Sequence, residues 1–124
     1  MPMTEPDTPI RDLDDLRERL RRFAAERDWE RFHSPKNLAT ALIVEAAELV
    51  EHFQWLTEAE SAALPREKKA EVADELADVL VYLVRIADKL DIDLLAAVAG
   101  KLERNAAKYP AAKVRGSAKK YTEY

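Results

Sequence analysis

The stretch VEAAELVEHFQWL, residues 44–56, has the pattern of an amphipathic helix. Its apolar residues recur three and four positions apart, as they do on a helix that packs against a core. Two glutamates, Glu45 and Glu48, lie at the edge of that apolar face, where a plain bundle would carry leucine or alanine. The interpretation of these two carboxylates depends on what the rest of the chain places beside them.

The composition of the whole chain favours helices. Its 124 residues are enough for one domain, and only two of them are glycine. The lack of cysteine excludes disulfides and thiolate metal sites, and the scarcity of glycine excludes a glycine-rich phosphate loop. No apolar run approaches the roughly 20 residues of a membrane span, and the N-terminus does not read as a signal peptide. We therefore expect a cytoplasmic protein without a membrane partner.

Charge is divided unevenly along the chain. Residues 1–100 contain 13 basic and 22 acidic residues, a net charge of −9, whereas residues 101–124 contain 7 basic and 2 acidic residues, a net charge of +5. An acidic body with a basic end suits an anionic ligand that also needs a metal ion. The alternative is a solvated tail.

Helical periodicity and capping signals predict four helices with short connections, which favours an all-α, antiparallel four-helix-bundle-like fold. The first helix runs from about residue 11 to residue 29. The second has Ser34 as its N-cap and Pro35 at its first position, and it continues to about Trp55. The third runs from Pro65 through Leu90, and the fourth, capped by Asp91 or Asp93, stops before Pro110. Residues 1–9 are predicted to be disordered, residues 10–110 to form the helical domain, and residues 111–124 to form a basic tail.

The third helix has its own predicted core face. The residues expected to be buried on it are Val72, Leu76, Val79, Leu80, Leu83 and Leu90. A second apolar face, available for self-association, is predicted at Ile43, Val50, Ile86 and Val98.

Two acidic pairs share the spacing that places side chains on one helical face. Glu45 and Glu48 form Glu-x-x-Glu on the second helix, and Glu75 and Asp78 form Glu-x-x-Asp on the third. At about 100° per residue, both pairs flank the apolar stripes of their helices on the same rotational side. Because facing antiparallel helices are related by a two-fold axis, the four carboxylates are expected to converge.

Converging carboxylates need a cation, because each desolvated charge raises the pKa of its neighbours. All-oxygen ligands favour Mg²⁺, with Mn²⁺ as the alternative. A di-iron centre is disfavoured, because the third helix has no histidine and His52 follows Glu48 by four residues. The competing interpretation is that these residues are exposed helix charges.

Four segments carry a resemblance to a known family: residues 27–56 (RDWERFHSPKNLATALIVEAAELVEHFQWL), 74–94 (DELADVLVYLVRIADKLDIDL), 101–110 (KLERNAAKYP) and 119–124 (KKYTEY). Together they resemble the all-α nucleoside triphosphate pyrophosphohydrolases of the MazG-like superfamily, and within it the dCTP pyrophosphatase branch. The resemblance implies Mg²⁺-dependent hydrolysis of a nucleoside triphosphate, such as dCTP or modified dCTP, to the monophosphate and pyrophosphate. It also implies a homo-oligomer, either a dimer or a tetramer, and no nucleic-acid partner.

The resemblance assigns roles to individual residues. The metal ligands and catalytic carboxylates would be Glu45, Glu48, Glu75 and Asp78. The base and sugar pocket would be formed by Trp29, His33, Asn37, Trp55 and Tyr82. The triphosphate would be bound by Lys101, Asn105, Lys108 and Tyr109, and the tail would close over it with Arg115, Lys120 and Tyr121.

One departure bears on the choice of base. Animal members of the branch carry a histidine three residues before the phenylalanine that matches Phe23, whereas this chain has Leu20. The base preference therefore stays open, and the same chemistry on dUTP or another non-standard nucleotide is an alternative. A further alternative is a non-enzymatic helical interaction module whose basic tail binds nucleic acid or an acidic partner.

Overall fold

The computed structural model describes residues 9–118 and residue 122. Regular structure in these residues is helical throughout, so the predicted all-α fold is confirmed. The helices are α1 (Leu13–Glu26), a 3₁₀ turn (Glu30–Phe32), α2 (Pro35–Glu51), α3 (Glu58–Ser61), α4 (Arg66–Lys89), α5 (Leu94–Lys108) and α6 (Ala111–Val114). None of these helices is long and apolar enough to cross a lipid bilayer. Apart from Pro9, the N-terminal segment predicted to be disordered lies outside the described residues.

Side-chain caps determine where the long helices begin. Ser34 accepts a hydrogen bond from the backbone N–H of Asn37 at 3.1 Å, with Pro35 in the first turn, as predicted. Asp93, rather than Asp91, caps α5 by accepting from the N–H of Ala96. Asp91 instead adopts a left-handed conformation with φ of 54°, just after α4 ends.

Helix α2 ends earlier than the predicted Trp55. Its last residue is Glu51, and the chain then turns into α3. Thr57 and Glu60 exchange side-chain and backbone hydrogen bonds in a capping box, which starts this separate short helix. The chain must therefore leave α2 before Thr57, and Trp55 lies in the connecting turn.

The chain comprises two compact units, Met1–Asp91 and Ile92–Tyr124. In the first unit, α2 packs along α4, and α1 also packs against α4. Helices α2 and α4 are antiparallel: His52, after α2, lies beside Glu71 near the start of α4, whereas Glu30, before α2, bonds Lys89 at its end. The second unit contains α5 and α6.

The buried core is small. Its apolar members are Ala24, Leu38, Val72, Val84 and Ala87. The predicted core face of α4 is wrong for most of its length. Val72 is buried and Val79 is half-buried, but four leucines of that face are 40–53% exposed: Leu76, Leu80, Leu83 and Leu90. The reason is that burial depends on which side of α4 its neighbours cover, and these four residues, here named the leucine row, stay uncovered by the described residues.

Candidate active site

Three carboxylates from two helices meet in the first unit. Glu45 and Glu48 lie one helical turn apart on α2, and Glu75 lies on α4. One oxygen of each residue lies within 4.8 Å of the others, and all three residues are half-buried. The antiparallel contact between α2 and α4 thus brings the acidic faces of the two helices to the same side of their interface. We name Glu45, Glu48 and Glu75 the carboxylate cluster.

Asp78 lies at the edge of this cluster rather than within it. It is exposed, one turn after Glu75 on α4, and it is not among the carboxylates that meet within 4.8 Å. Its negative charge nevertheless raises the pKa of both Glu45 and Glu75. The predicted convergence of four carboxylates is therefore observed at three, with the fourth close enough to act electrostatically.

Two carboxyls of the cluster, Glu45 and Glu75, keep their protons to a higher pH than isolated glutamates do. Burial, followed by the hydrogen bond and the charge of Glu48, raises the pKa of Glu45 from 4.5 to about 7. Burial and then Glu48 also raise the pKa of Glu75. These shifts arise chiefly because burial disfavours the ionised form, and further because neighbouring carboxylates repel one another.

Two oxygens of the cluster have no donor. Oε2 of Glu45 and Oε2 of Glu75 are buried, and no described residue gives either of them a hydrogen bond. A buried carboxylate oxygen without a partner is costly once the group is ionised, and a divalent cation that prefers oxygen ligands removes the cost. The donor set therefore fits a hard divalent cation.

Tyr82 borders the cluster on the side towards the end of α4. It is half-buried and follows Asp78 by four residues, so the two side chains share a face of the helix. Burial, and then the charges of Glu45 and Asp78, raise the pKa of the Tyr82 phenol. Tyr82 is thus a neutral hydroxyl beside the carboxylates, able to donate a hydrogen bond.

Aromatic side chains gather around the 3₁₀ turn. The rings of Phe23 and Trp29 meet edge to face with centroids 5.7 Å apart, and Trp29 lies 6.3 Å from the His33 ring at 57°. Asn37 donates from Nδ2 to the Phe32 carbonyl at 3.0 Å, so its amide holds the turn in place. Trp55 lies in the turn after α2 and outside this aromatic group, and the residue is 85% exposed.

A buried arginine, which is not among the residues predicted from the sequence, connects α4 to the 3₁₀ turn. Arg85 is 3% exposed, and its Nη2 donates to Glu30 Oε1 at 2.8 Å. The same Nη2 lies 3.3 Å from His33 Nδ1. The signal available in the sequence was a lone charge inside the apolar run VLVYLVRIA, residues 79–87, because a charge in such a run is seldom buried unless it is paired.

The residues predicted to bind the triphosphate lie on the second unit. Lys101, Asn105 and Lys108 are on α5, and Tyr109 caps its C-terminus by donating its N–H to the Asn105 carbonyl. Arg115 follows α6 as its C-cap. Lys120 and Tyr121 lie outside the described residues. The roles of all of these residues stay predictions.

Comparison with known proteins gives the family. Residues 41–124 match the sequence profile of the MazG-like family. The chain is 47% identical to dCTP pyrophosphatase 1 of Homo sapiens over 119 residues, which cover 94% of this chain and 69% of that protein. The chain belongs to the MazG-like family. It is also 46% identical over 118 residues to dCTP pyrophosphatase 1 of Mus musculus, with the same coverage. Among solved structures, a pyrophosphatase from Archaeoglobus fulgidus matches with a TM-score of 0.76 and 38% identity, over 86% of this chain and 99% of that one.

The resemblance inferred from the sequence is therefore confirmed. The matched profile, residues 41–124, contains both acidic pairs of this MazG-like chain, on α2 and α4. Trp29, His33 and Asn37 precede the profile. The part of the predicted base pocket that surrounds the 3₁₀ turn thus lies outside the residues that match the family profile.

Proposed function

We propose that this chain hydrolyses dCTP, or a modified dCTP, between its α- and β-phosphates, releasing the deoxycytidine monophosphate and pyrophosphate. The observation that carries the proposal is the carboxylate cluster. In it, Oε2 of Glu45 and Oε2 of Glu75 are buried without a hydrogen-bond partner among the described residues, and they can act as ligands of a cation. The 46–47% identity to proteins named dCTP pyrophosphatase supports the choice of substrate.

The cofactor of the proposed reaction is Mg²⁺, with Mn²⁺ as the alternative for the same oxygens. The residues that would hold it are the cluster together with Asp78 at its edge. When bound, the ion supplies charge neutralisation of phosphate oxygens and lowers the pKa of an attacking water. Hydrolysis by in-line attack asks the protein mainly for positioning and charge stabilisation, which carboxylates on two packed helices provide.

The chain's own groups complete the proposed reaction. A carboxylate of Glu45 or Glu48 accepts the proton from the attacking water. The neutral hydroxyl of Tyr82 donates a hydrogen bond beside the cluster. Trp29 and His33 bind the base, and the exposed indole of Trp55 offers a second surface on which a base can stack.

Binding of the triphosphate is assigned to cationic and polar groups, which suit phosphate oxygens as charge-assisted partners. This part of the proposal rests on the family resemblance. The residues concerned are Lys101, Asn105, Lys108, Tyr109, Arg115, Lys120 and Tyr121.

The test is pyrophosphate release from a panel of common and modified deoxynucleoside triphosphates, with and without Mg²⁺. Asp78→Asn is the variant, and Asp74→Asn, an exposed aspartate one turn earlier on α4, is its matched control. We expect Mg²⁺-dependent release that falls by a factor of about 100 or more in Asp78→Asn and is kept in Asp74→Asn. A folded wild-type chain that releases no pyrophosphate from any substrate would refute the proposal and favour the interaction module.

The same panel addresses the open question of the base. If Leu20 removes a group that reads cytosine, dUTP or another non-standard nucleotide will rank above dCTP. The ranking by kcat/KM, rather than by rate at one concentration, measures this discrimination.

We also propose that the chain assembles as a homo-oligomer, a dimer or a tetramer. Ile43 and Val50 on α2 are 65% and 57% exposed, and they add to the uncovered leucine row of α4. Of the other residues predicted for this face, Val98 is exposed and Ile86 is half-buried. Light scattering after size-exclusion chromatography should give a mass of two or four chains. Leu80→Glu should lower that mass, whereas the same substitution at the exposed polar residue Gln54 should not.

A further inference from the structure

The guanidinium of Arg85 is held in one place by two acidic residues. Its Nη2 donates to Glu30 Oε1, and its Nη1 lies 3.5 Å from Asp88 Oδ2. Each of these carboxylates has a second cationic partner. Glu30 also bonds Lys89, and Asp88 receives two hydrogen bonds from Arg21, at 2.8 and 2.5 Å. Carboxylates therefore hold both terminal nitrogens of the guanidinium, and Nη2 also lies next to the His33 ring.

This arrangement favours one protonation state of the His33 ring. A guanidinium can only donate hydrogen bonds, so Nδ1 of His33, at 3.3 Å from Arg85 Nη2, must be the acceptor. A hydrogen bond accepted at Nδ1 requires a neutral ring that carries its proton on Nε2. Burial, followed by the charge of Arg85 and, more weakly, Lys89, lowers the pKa of His33 against the opposing charge of Glu30.

Spacing on α4 connects this ring to the carboxylate cluster. Asp78, Tyr82, Arg85 and Lys89 are separated by four, three and four residues, so they form one stripe along the helix. Arg85 lies about 10 Å along the axis from Asp78. That separation is comparable to the length of a nucleotide from its α-phosphate to its base. His33, beside Trp29, is thus placed at a suitable distance for a base whose phosphates are at the cluster.

We infer that Arg85, anchored by Glu30, is a positioning residue that holds His33 as the Nε2-protonated tautomer, so that the ring offers a fixed hydrogen-bond donor to an acceptor atom of the base. The ligand class is a nucleobase with an exposed carbonyl or ring nitrogen on the edge that faces Trp29. The ligand part of this inference rests on the proposed function. The tautomer part rests only on contacts of the ligand-free chain.

The experiment is ¹⁵N NMR of the full chain labelled at histidine, because protonated and unprotonated ring nitrogens have separate shifts. There are two histidines, and His52→Gln assigns their signals. We expect the wild-type His33 to be neutral near neutral pH, protonated at Nε2 and unprotonated at Nδ1. A His33 that is charged at that pH, or protonated at Nδ1, overturns the inference.

Two variants should then shift the titration midpoint of His33 in opposite directions. In Arg85→Met the cation is lost and Glu30 stays, so the titration midpoint of His33 should rise and its two tautomers should mix. In Glu30→Gln, at a side chain that is 42% exposed, the midpoint should fall because the opposing negative charge is removed. The control Arg22→Met, at an exposed arginine of α1, should leave His33 unchanged. Equal shifts in all three variants, or none, would overturn the role of Arg85.

The kinetic experiment measures KM and kcat separately for wild type and variants, with dCTP as substrate and Mg²⁺ present. Loss of one oriented hydrogen bond to the base should raise KM about tenfold in Arg85→Met, with kcat changed far less. Arg85→Lys keeps the charge but lacks the forked donors, and it should not restore KM. An unchanged KM overturns the base-reading role. Absence of turnover in the wild-type chain would refute the proposed function, while the NMR result would still decide whether Arg85 fixes the tautomer.

Discussion

Replacing Glu45 by glutamine should stabilise the metal-free chain at alkaline pH and abolish its proposed activity. Burial and Glu48 raise the pKa of Glu45 from 4.5 to about 7 in the folded chain. Between these two pKa values the folded state binds more protons than the unfolded state, so Glu45 makes the free energy of unfolding fall as the pH rises. The full loss of stability is present above about pH 7. Glutamine imitates the protonated carboxyl at every pH and removes the penalty.

The size of the effect follows from the same pKa shift. The full shift corresponds to about 3 kcal/mol of unfolding free energy. Because Glu45 is only half-buried, solvent screening reduces this to roughly 1 kcal/mol. For a chain of this length that is a rise in Tm of about 4 °C. The gain should be present at about pH 8 and nearly absent at about pH 5, where the wild-type carboxyl is already protonated in the folded state.

The assay is thermal unfolding followed by circular dichroism in EDTA, at both pH values. Glu51→Gln, at an exposed glutamate on the same helix and outside the cluster, is the matched control for the substitution itself. Adding Mg²⁺ should reverse the order of Tm, because the wild type then gains bound cation and the variant lacks one ligand. If Glu45→Gln lowers Tm equally at both pH values in EDTA, the cluster carries no electrostatic penalty and the reasoning fails.

Three other predictions concern stability. Mg²⁺ should raise the Tm of the wild type in a saturable manner, and Asp78→Asn should shift the midpoint of this response to higher Mg²⁺ in a calorimetric titration. Asp88→Asn should cost about 1–3 kcal/mol in urea unfolding at neutral pH, because Arg21 and Arg85 lose a common partner. In the folded chain Arg21 lowers the pKa of Asp88 below 3.8. The stabilisation by ionised Asp88 is therefore fully present above that pH, and it is lost as the pH falls through the lower pKa of the folded chain. The difference in unfolding free energy between wild type and variant should shrink in that acidic range. Ser34→Ala should cost about 1 kcal/mol in the same urea assay and Ser34→Gly less, because the N-cap of α2 loses its acceptor.

The helices and their caps were predictable because their causes are local. Ser34 and Asp93 accept hydrogen bonds from residues three positions ahead, so a short stretch of sequence contains both partners. The end of α2 was misplaced for a related reason. The capping box at Thr57 and Glu60 is also local, but its sequence signal competed with an apolar pattern that continues to Leu56.

The convergence of Glu45, Glu48 and Glu75 was predictable from spacing and antiparallel packing. The exclusion of Asp78 from the 4.8 Å group was not, because rotational angles place a side chain to within one face and not to within a few ångströms. The pairing of Arg85 with Glu30 is not predictable from the sequence, because the two residues lie 55 positions apart, outside the range of any helical periodicity.

By itself, the sequence determined the all-α class, the four long helices, the acidic pairs and the family, since each depends on composition, on neighbours within one or two helical turns, or on motif matches. Only the tertiary structure decided which side of α4 is covered, which carboxylates meet, and which cationic side chain lies beside His33. Those features depend on contacts between residues far apart in the chain, and a helical pattern states that a face is apolar or acidic without stating what will lie against it.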